Sequence, residues 1–269
     1  MTDPTRAPFD ETDFARRCPA GWQLTAVVET GSTNADLLAA AATGAADRTV
    51  LLAHLQSGGR GRLERSWVSP AGAGLTFSFL LRPAVPPAGW GWLSLLTGLA
   101  LSATIGAQAS LKWPNDVLLG PAGGKVAGGK VAGILAQAAG PAVVIGVGLN
   151  VSTTTAELPV PTATSLAIQG HSTLRRPELL AGFLARFDEL YTDWQASSGD
   201  AEASGLAAAY RAGCATLDQR VSVQLPDGTV HGAATGIDPA GRLVIQPADG
   251  GPAVAVAVGD VTHVRPFSR

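Results

Sequence analysis

An α+β domain carrying a small all-β unit at its C-terminal end is the fold class that this 269-residue chain predicts. Two observations lead there. As far as about residue 217, helical stripes and β-leaning runs are mixed and joined by short connections, which favours a largely antiparallel or mixed sheet with flanking helices. From Arg220 the texture changes to short alternating strands, with turns at Pro226-Asp227-Gly228, Asp238-Pro239-Ala240-Gly241 and Asp249-Gly250-Gly251. The division is therefore 1–217 and 218–269. A unit of about fifty residues buries too little surface to be very stable alone, so it is expected to dock on its larger neighbour.

The elements follow in order. Residues 1–20 read as a lead-in with one short helix near Asp10 to Arg17, and Trp22 to Glu29 as a strand. Ser32 or Thr33 caps a helix running to about Thr43, where Gly44 stops it. Thr49 to Gln56 is β-leaning. Leu75 to Arg82 alternates as a strand, and Trp90 to Ala107 has helical character. Lys112 to Leu119 reads as a strand with Pro114 near its start, a place where proline needs a bulge or an edge. Lys130 to Gln137 and Ala142 to Val151 form a hairpin through Ala139-Gly140-Pro141. Leu179, Leu180, Phe183, Leu184, Phe187 and Leu190 make a helical stripe over Arg175 to Gln195, and a second helix covers Glu202 to Ala212.

Composition narrows the function. Apolar residues make up 46% and charged residues 15%, enough for a substantial core and against global disorder. A formal charge of −2 argues against a nucleic-acid-binding surface over the whole protein but leaves room for a local basic cleft. Cys18 and Cys214 fit no metal spacing and suit a reducing cytosol. The acidic, polar start is not a secretory signal, and the apolar run Leu93 to Ile105 is too short to span a bilayer. The expectation is a soluble cytoplasmic protein.

Within that frame the lysines stand out. The chain has sixteen arginines, spread from Arg6 to Arg269, and its three lysines, Lys112, Lys125 and Lys130, all fall between residues 112 and 130. An ammonium is a compact point charge that can approach a single oxygen where a guanidinium is too large and planar, so an anion site around Lys112 and Lys130 is expected. Upstream, Gly58 to Arg65 presents Arg60, Arg62 and Arg65 between glycines that let the backbone bend around a ligand.

Two familiar phosphate motifs fail. The dinucleotide pattern would need a third glycine where Glu64 stands, and the phosphate-loop spacing Gly124 to Lys130 is followed by Val131 instead of Ser or Thr. That second match comes from the tandem repeat GGKVA-GGKVA. Trp113-Pro114-Asn115-Asp116 sets an amide and a carboxylate beside Lys112, and Gly146 to Asn150 is a glycine-relieved strand ending in an amide. His54, His171, His231 and His263 form no metal spacing and no triad.

Taken in register, STN, Q-x-x-GRGR-x-x-R-x-W, KWPND, K-x-x-GIL and GVGLN resemble a biotin–protein ligase over residues 30–151. The resemblance implies a catalytic fold like that of class II aminoacyl-tRNA synthetases and lipoate ligases, with a mixed sheet and flanking helices. It also implies a C-terminal SH3-like β-barrel. The implied reaction joins biotin and ATP to give biotinyl-5′-AMP and pyrophosphate. A lysine of a biotin carboxyl carrier protein domain then takes the biotinyl group. Mg²⁺ is expected with ATP, no nucleic acid or membrane is expected as partner, and the chain is expected to be a monomer or weak homodimer.

Carried over by motif, Ser32, Thr33, Asn34, Gln56, Gly59, Arg60, Gly61, Arg62, Lys130 and Gly133 would hold biotin. Arg62, Arg65, Trp67, Lys112, Asn115, Asp116 and Asn150 would hold the nucleotide, with Arg60, Arg62, Lys112 and Lys130 as the catalytic cations. Two departures matter. Glu64 replaces a glycine usual in the family, and the repeat leaves two candidate lysines, of which only Lys130 precedes GIL. The rival readings are a lipoate–protein ligase, a DNA-binding repressor, for which there is no room before Trp22, and a non-catalytic nucleotide-binding module.

Overall fold

The computed structural model describes residues 6–106, 108–120, 128–171, 175–225, 228–257 and 260–263, and the backbone alone at Glu64 and Asp260. Lys125, with the first GGKVA, and Pro226-Asp227 of one expected turn lie outside the described residues.

Strands β1 (Gln23–Thr30), β2 (Thr49–Gln56), β3 (Gly74–Leu81), β4 (Ala109–Lys112), β5 (Asp116–Leu119), β6 (Gly129–Ala139) and β7 (Ala142–Asn150) form one seven-stranded sheet in the order β1-β2-β3-β7-β6-β5-β4. Only β1 and β2 run parallel, and every other neighbour is antiparallel. The mixed α+β class is therefore what the chain adopts. The β1–β2 crossover is helix α2 (Thr33–Ala42), which Ser32 caps by accepting from the Ala35 N–H at 3.4 Å. Of the two candidate caps, Ser32 is the one used. A five-residue helix, α1 (Glu11–Ala15), precedes β1 among the described residues.

One face of the sheet is covered by α3 (Gly91–Ile105) and α4 (Arg176–Ala196). The stripe read from α4 is buried, and Phe183 and Phe187 meet Phe77 and Phe79 of β3 edge-to-face, with ring centroids 4.9–5.8 Å apart. Pairs in this geometry add stability beyond the area they bury. Helix α5 (Leu206–Gly213) starts four residues later than its composition suggests, because Asp200 holds the preceding turn by accepting from the Glu202 and Ala203 N–H groups.

Two expectations are corrected. Lys112 to Leu119 is not one strand: Trp113-Pro114-Asn115 reverses the chain between β4 and β5, with a cis peptide at Trp113–Pro114. Proline cannot donate to a ladder, so the chain turns there instead of bulging. Strand β3 does not alternate in burial. All eight of its residues are buried, because helices cover one face and α2 the other.

The C-terminal strands β8 (Arg220–Leu225), β9 (Gly228–Ile237), β10 (Leu243–Pro247), β11 (Val254–Val256) and β12 (Asp260–His263) form a five-stranded antiparallel sheet ordered β11-β10-β9-β8-β12. It docks as expected. The turn at Pro239 to Gly241 accepts two buried indole N–H groups, from Trp92 to the Pro239 carbonyl at 2.8 Å and from Trp113 to the Gly241 carbonyl at 3.0 Å. One hydrophobic core runs through both sheets.

Candidate active site

A cleft of about 1880 Å³ opens between the large sheet, the arginine loop and the C-terminal unit. Single small-molecule sites reach about 1,000 Å³, so this one has room for two substrates. Its two ends differ in chemistry.

The floor at one end is neutral and buried. The α2 N-terminus brings Thr33 and Asn34 against β2 and β3. The Thr33 N–H donates to Gln56 Oε1 at 2.8 Å, and the Thr33 hydroxyl lies 2.7 Å from the Ser78 hydroxyl. The Ser78 hydroxyl donates to Asn34 Oδ1 at 2.5 Å, and Asn34 Nδ2 donates to the Leu135 carbonyl and to Gln137 Oε1. Asn34 reaches these partners because position 146 has no side chain, and a Cβ there would overlap its amide oxygen.

The other end carries the charges. Lys130, at the start of β6, pairs with Asp116 of β5 at 2.6 Å, and its ammonium lies 5.7 Å from the centre of the Trp67 ring. Trp67 itself lies on Gly148, where a Cβ would run into the indole. The Trp67 indole N–H is buried with no partner among the described residues. A buried donor left unsatisfied costs on the order of 1–3 kcal/mol, so an acceptor is wanted there.

The arginine loop is a small hairpin. The Trp67 N–H donates to the Gly59 carbonyl at 2.9 Å and the Gly61 N–H to the Arg65 carbonyl at 2.6 Å, around a 3-10 turn at Arg62–Glu64. Leu63 at the tip takes φ 52°, the left-handed region, and is 65% exposed. The loop is tied to the sheet by Arg62, which donates to Asn115 Oδ1 at 3.3 Å. Asn115 in turn clamps β6, donating from Nδ2 to the Ile134 carbonyl at 2.8 Å and accepting the Ile134 N–H at 2.9 Å.

Lys112 and Asp116 are cross-strand partners on β4 and β5, so both lie on the same rim. His263 of β12 faces that rim. Burial and then the Lys112 charge push its imidazole below the usual histidine range, and Nε2 lies 3.2 Å from Thr216 Oγ1. The same Thr216 oxygen accepts the Trp113 backbone N–H at 3.0 Å, which fixes the turn beside Lys112. Burial raises the Cys214 thiol, leaving it protonated in the cleft wall.

The structure thus brings Ser32, Thr33, Asn34, Gln56, Arg60, Gly61, Arg62, Arg65, Trp67, Lys112, Asn115, Asp116, Lys130, Gly133 and Asn150 to the wall of one cleft. Gly59 lies behind the wall, packed on the Trp67 carbonyl. Asn150 has a bracing role. Its buried Nδ2 donates to the Thr164 carbonyl at 2.9 Å, and this holds the segment whose Thr162 carbonyl and Thr164 N–H pair with the Lys130 backbone. Sequence reasoning missed Ser78, Gln137, Thr164 and Thr216. A serine inside the apolar run of β3 was the one visible signal, since a buried hydroxyl needs a partner.

The comparisons agree across both parts of the chain. The model of the biotin/lipoate A/B protein ligase family matches residues 30–150, and that of the biotin protein ligase C-terminal domain matches residues 216–264. The chain is 42% identical to the biotin–[acetyl-CoA-carboxylase] ligase of Mycobacterium tuberculosis, over 98% of each chain. It is 33% identical to the enzyme of the same name from Paracoccus denitrificans, over 82% of this chain and 92% of that one. Among solved structures, the biotin protein ligase from Aquifex aeolicus in complex with biotin and ATP superposes with a TM-score of 0.69 at 27% identity, covering 91% of this chain and 99% of that one.

Proposed function

The chain belongs to the biotin–protein ligase family, and from that premise we propose how its cleft divides the work of activating biotin with ATP and passing it to a protein lysine. The neutral floor around Thr33, Asn34 and Gln56 takes the fused ring of biotin, the cationic rim takes the nucleotide, and Lys130 stands where the two meet. The observation that carries this is the convergence of the arginine loop and Lys130, two segments far apart in sequence, on one cleft whose other end is uncharged.

The chemistry needs that arrangement. Attack of the biotin carboxylate on the α-phosphate joins two anions, a repulsion of about 4 kcal/mol at roughly 4 Å for an effective dielectric near 20. Charge-assisted hydrogen bonds contribute about 1.5–3 kcal/mol each, so Lys130 with Arg62 and Lys112 offsets the repulsion and stabilises charge at phosphorus. Asp116 holds Lys130 in place before substrate arrives. The carboxylate oxygen forms the new bond to phosphorus and pyrophosphate leaves. The amine of the acceptor lysine then attacks the acyl carbon and AMP departs. Arg60 and Arg62, on the loop hairpin, cover the acyl phosphate and keep water away from it.

Mg²⁺ enters as part of the nucleotide substrate. No group of three or more His, Cys, Asp or Glu suited to a metal occurs among the described residues. Asp116 is the rim carboxylate on which such an ion, held mainly by phosphates, would draw. The acceptor is a biotin carboxyl carrier domain of a biotin-dependent carboxylase, met by a monomer or weak homodimer in the cytoplasm. Both cysteines are free thiols, as that compartment requires, and no described helix is long and apolar enough to cross a membrane. Residues 1–217 form the catalytic part and 218–269 the docked β unit.

ATP–pyrophosphate exchange tests this reading. Exchange should depend on biotin and not respond to lipoate, and added carrier domain should become labelled. Exchange driven by lipoate would move the chain to the lipoate branch of the same family. No exchange with either acid would leave only nucleotide binding.

A further inference from the structure

Of the four histidines, all of them among the described residues, His263 alone lines the cleft. Strand periodicity puts it there. Val261 and His263 lie two apart on β12 and share one face of it, and Val261 is buried. An apolar residue would suit that face better than a ring whose charge can change near neutral pH.

The anchor of the ring accommodates either charge state. Nε2 lies 3.2 Å from Thr216 Oγ1, and the same oxygen accepts the Trp113 N–H at 3.0 Å. A hydroxyl has one hydrogen and two lone pairs. Thr216 can therefore donate to a bare Nε2 or accept from a protonated one without releasing Trp113. A carbonyl or an N–H in its place would have fixed one state.

The charged groups on the neighbouring elements are Lys112 of β4, Asp116 of β5, Asp218 after α5 and Arg220 of β8, while burial keeps the Cys214 thiol protonated. Lys130 already holds Asp116 at 2.6 Å, and Asp218 and Arg220 are exposed, where solvent screens them. Lys112 is thus the charge that the ring meets. Burial and that charge keep the imidazole neutral at neutral pH. Phosphates bound against Lys112 reverse the sign of the field. A unit charge about 10 Å away moves a titration by roughly one pH unit at an effective dielectric near 20.

We propose that His263 backs Lys112 as a conditional cation: it binds a solvent proton when the nucleotide phosphates enter the rim and gives it back when pyrophosphate leaves. The proposal rests on the nucleotide half of the ligase reading. The proton balance closes, because one is bound with ATP, one is released with pyrophosphate, and attack of the carboxylate on phosphorus consumes none. The extra charge is present while anions crowd the rim. It is absent in the free protein, where two adjacent cations would repel.

The test is calorimetry of α,β-methylene-ATP with Mg²⁺, titrated into the biotin-saturated chain in two buffers of different ionisation enthalpy. The comparison is His263→Gln, whose amide still reaches Thr216 but takes no proton. Near pH 6.5 the unaltered chain should take up about half a proton more per nucleotide than the variant. The variant's KM for ATP should be about threefold higher near pH 6.5 and about equal near pH 8.5, with biotin affinity unchanged at both. By NMR, the His263 ring C–H, identified by its loss in the variant, should titrate roughly one pH unit higher with the analogue bound. His263→Asn serves if glutamine does not fold. Equal proton uptake by the two proteins, or a KM defect of the same size at both pH values, would overturn the proposal and leave the ligase reading intact. Failure of the unaltered protein to bind the analogue would overturn both.

Discussion

The two ends of the cleft recognise their ligands by opposite means. The floor is built from neutral groups that are nine-tenths buried or more at Thr33, Asn34 and Ser78, each tied to backbone or to a neighbour. The rim is built from cations, with Lys130 34% exposed and the loop arginines near solvent. The difference follows from the ligand parts they suit. A neutral ring can be discriminated only by fixed donors and acceptors, because small shifts forfeit hydrogen bonds. A polyphosphate is attracted over several ångströms, so its site tolerates exposure and benefits from a covering loop.

The largest expected effect tests whether Lys130 is the junction. Lys130→Ala should lower pyrophosphate release by about 100- to 1,000-fold, the loss typical of removing a group that stabilises developing charge. Lys125→Ala should stay within about twofold, since only Lys130 of the two repeat lysines precedes GIL. The reverse order would move the junction to the other copy of the repeat. Next comes a pair of substitutions two residues apart on β7. Gly146→Ala displaces Asn34 and should weaken biotin by roughly tenfold with little effect on ATP, while Gly148→Ala displaces Trp67 and should do the opposite. If both variants raised the same KM, the two ends would not be separate.

Arg62→Gly unties the loop from Asn115 and should let the acyl adenylate escape, which retention of labelled biotinyl-AMP on the protein reports directly. The same rim should respond to salt and the floor should not. Between 0.05 and 0.5 M salt the KM for ATP should rise by about threefold to tenfold with biotin affinity constant, because exposed charges are screened.

The smallest effect is on stability. Arg6 and the Thr154 backbone N–H and hydroxyl hydrogen-bond to Glu157 and hold its carboxyl at about 2, below the ordinary 4.5. A depressed carboxylate stabilises the fold fully above its unfolded value and loses that contribution as pH falls from about 4.5 towards about 2. Glu157→Gln should lower the melting temperature by roughly 1–3 °C at neutral pH, with the gap to the parent closing over that acid window. A gap independent of pH would show that the ionised state of Glu157 is not what holds Arg6 in place.

Much of the floor's position was legible because local rules place it. Ser32 before an apolar run caps α2, and a capped helix after a strand must present Thr33 and Asn34 at the sheet end. The arginine loop and Lys130 were legible as charges but not as neighbours, since nothing in one segment encodes contact with the other. Pro114 was read as a strand irregularity, whereas antiparallel pairing of Lys112 with Asp116 makes it the bend of a hairpin. Burial on both faces of β3 was invisible because alternation in sequence reports one covered face and not the second, supplied here by α2.

The sequence by itself determined the mixed fold, the docked β unit and the residue types a carboxylate-activating site requires, because periodicity, caps and turn chemistry act over a few residues. Tertiary structure alone decided which groups share a proton or a charge: Asp116 with Lys130, Asn115 with Arg62, Ser78 between Thr33 and Asn34. Such pairings depend on strand order and register, which are set by how a whole sheet buries its faces and not by any one stretch of chain.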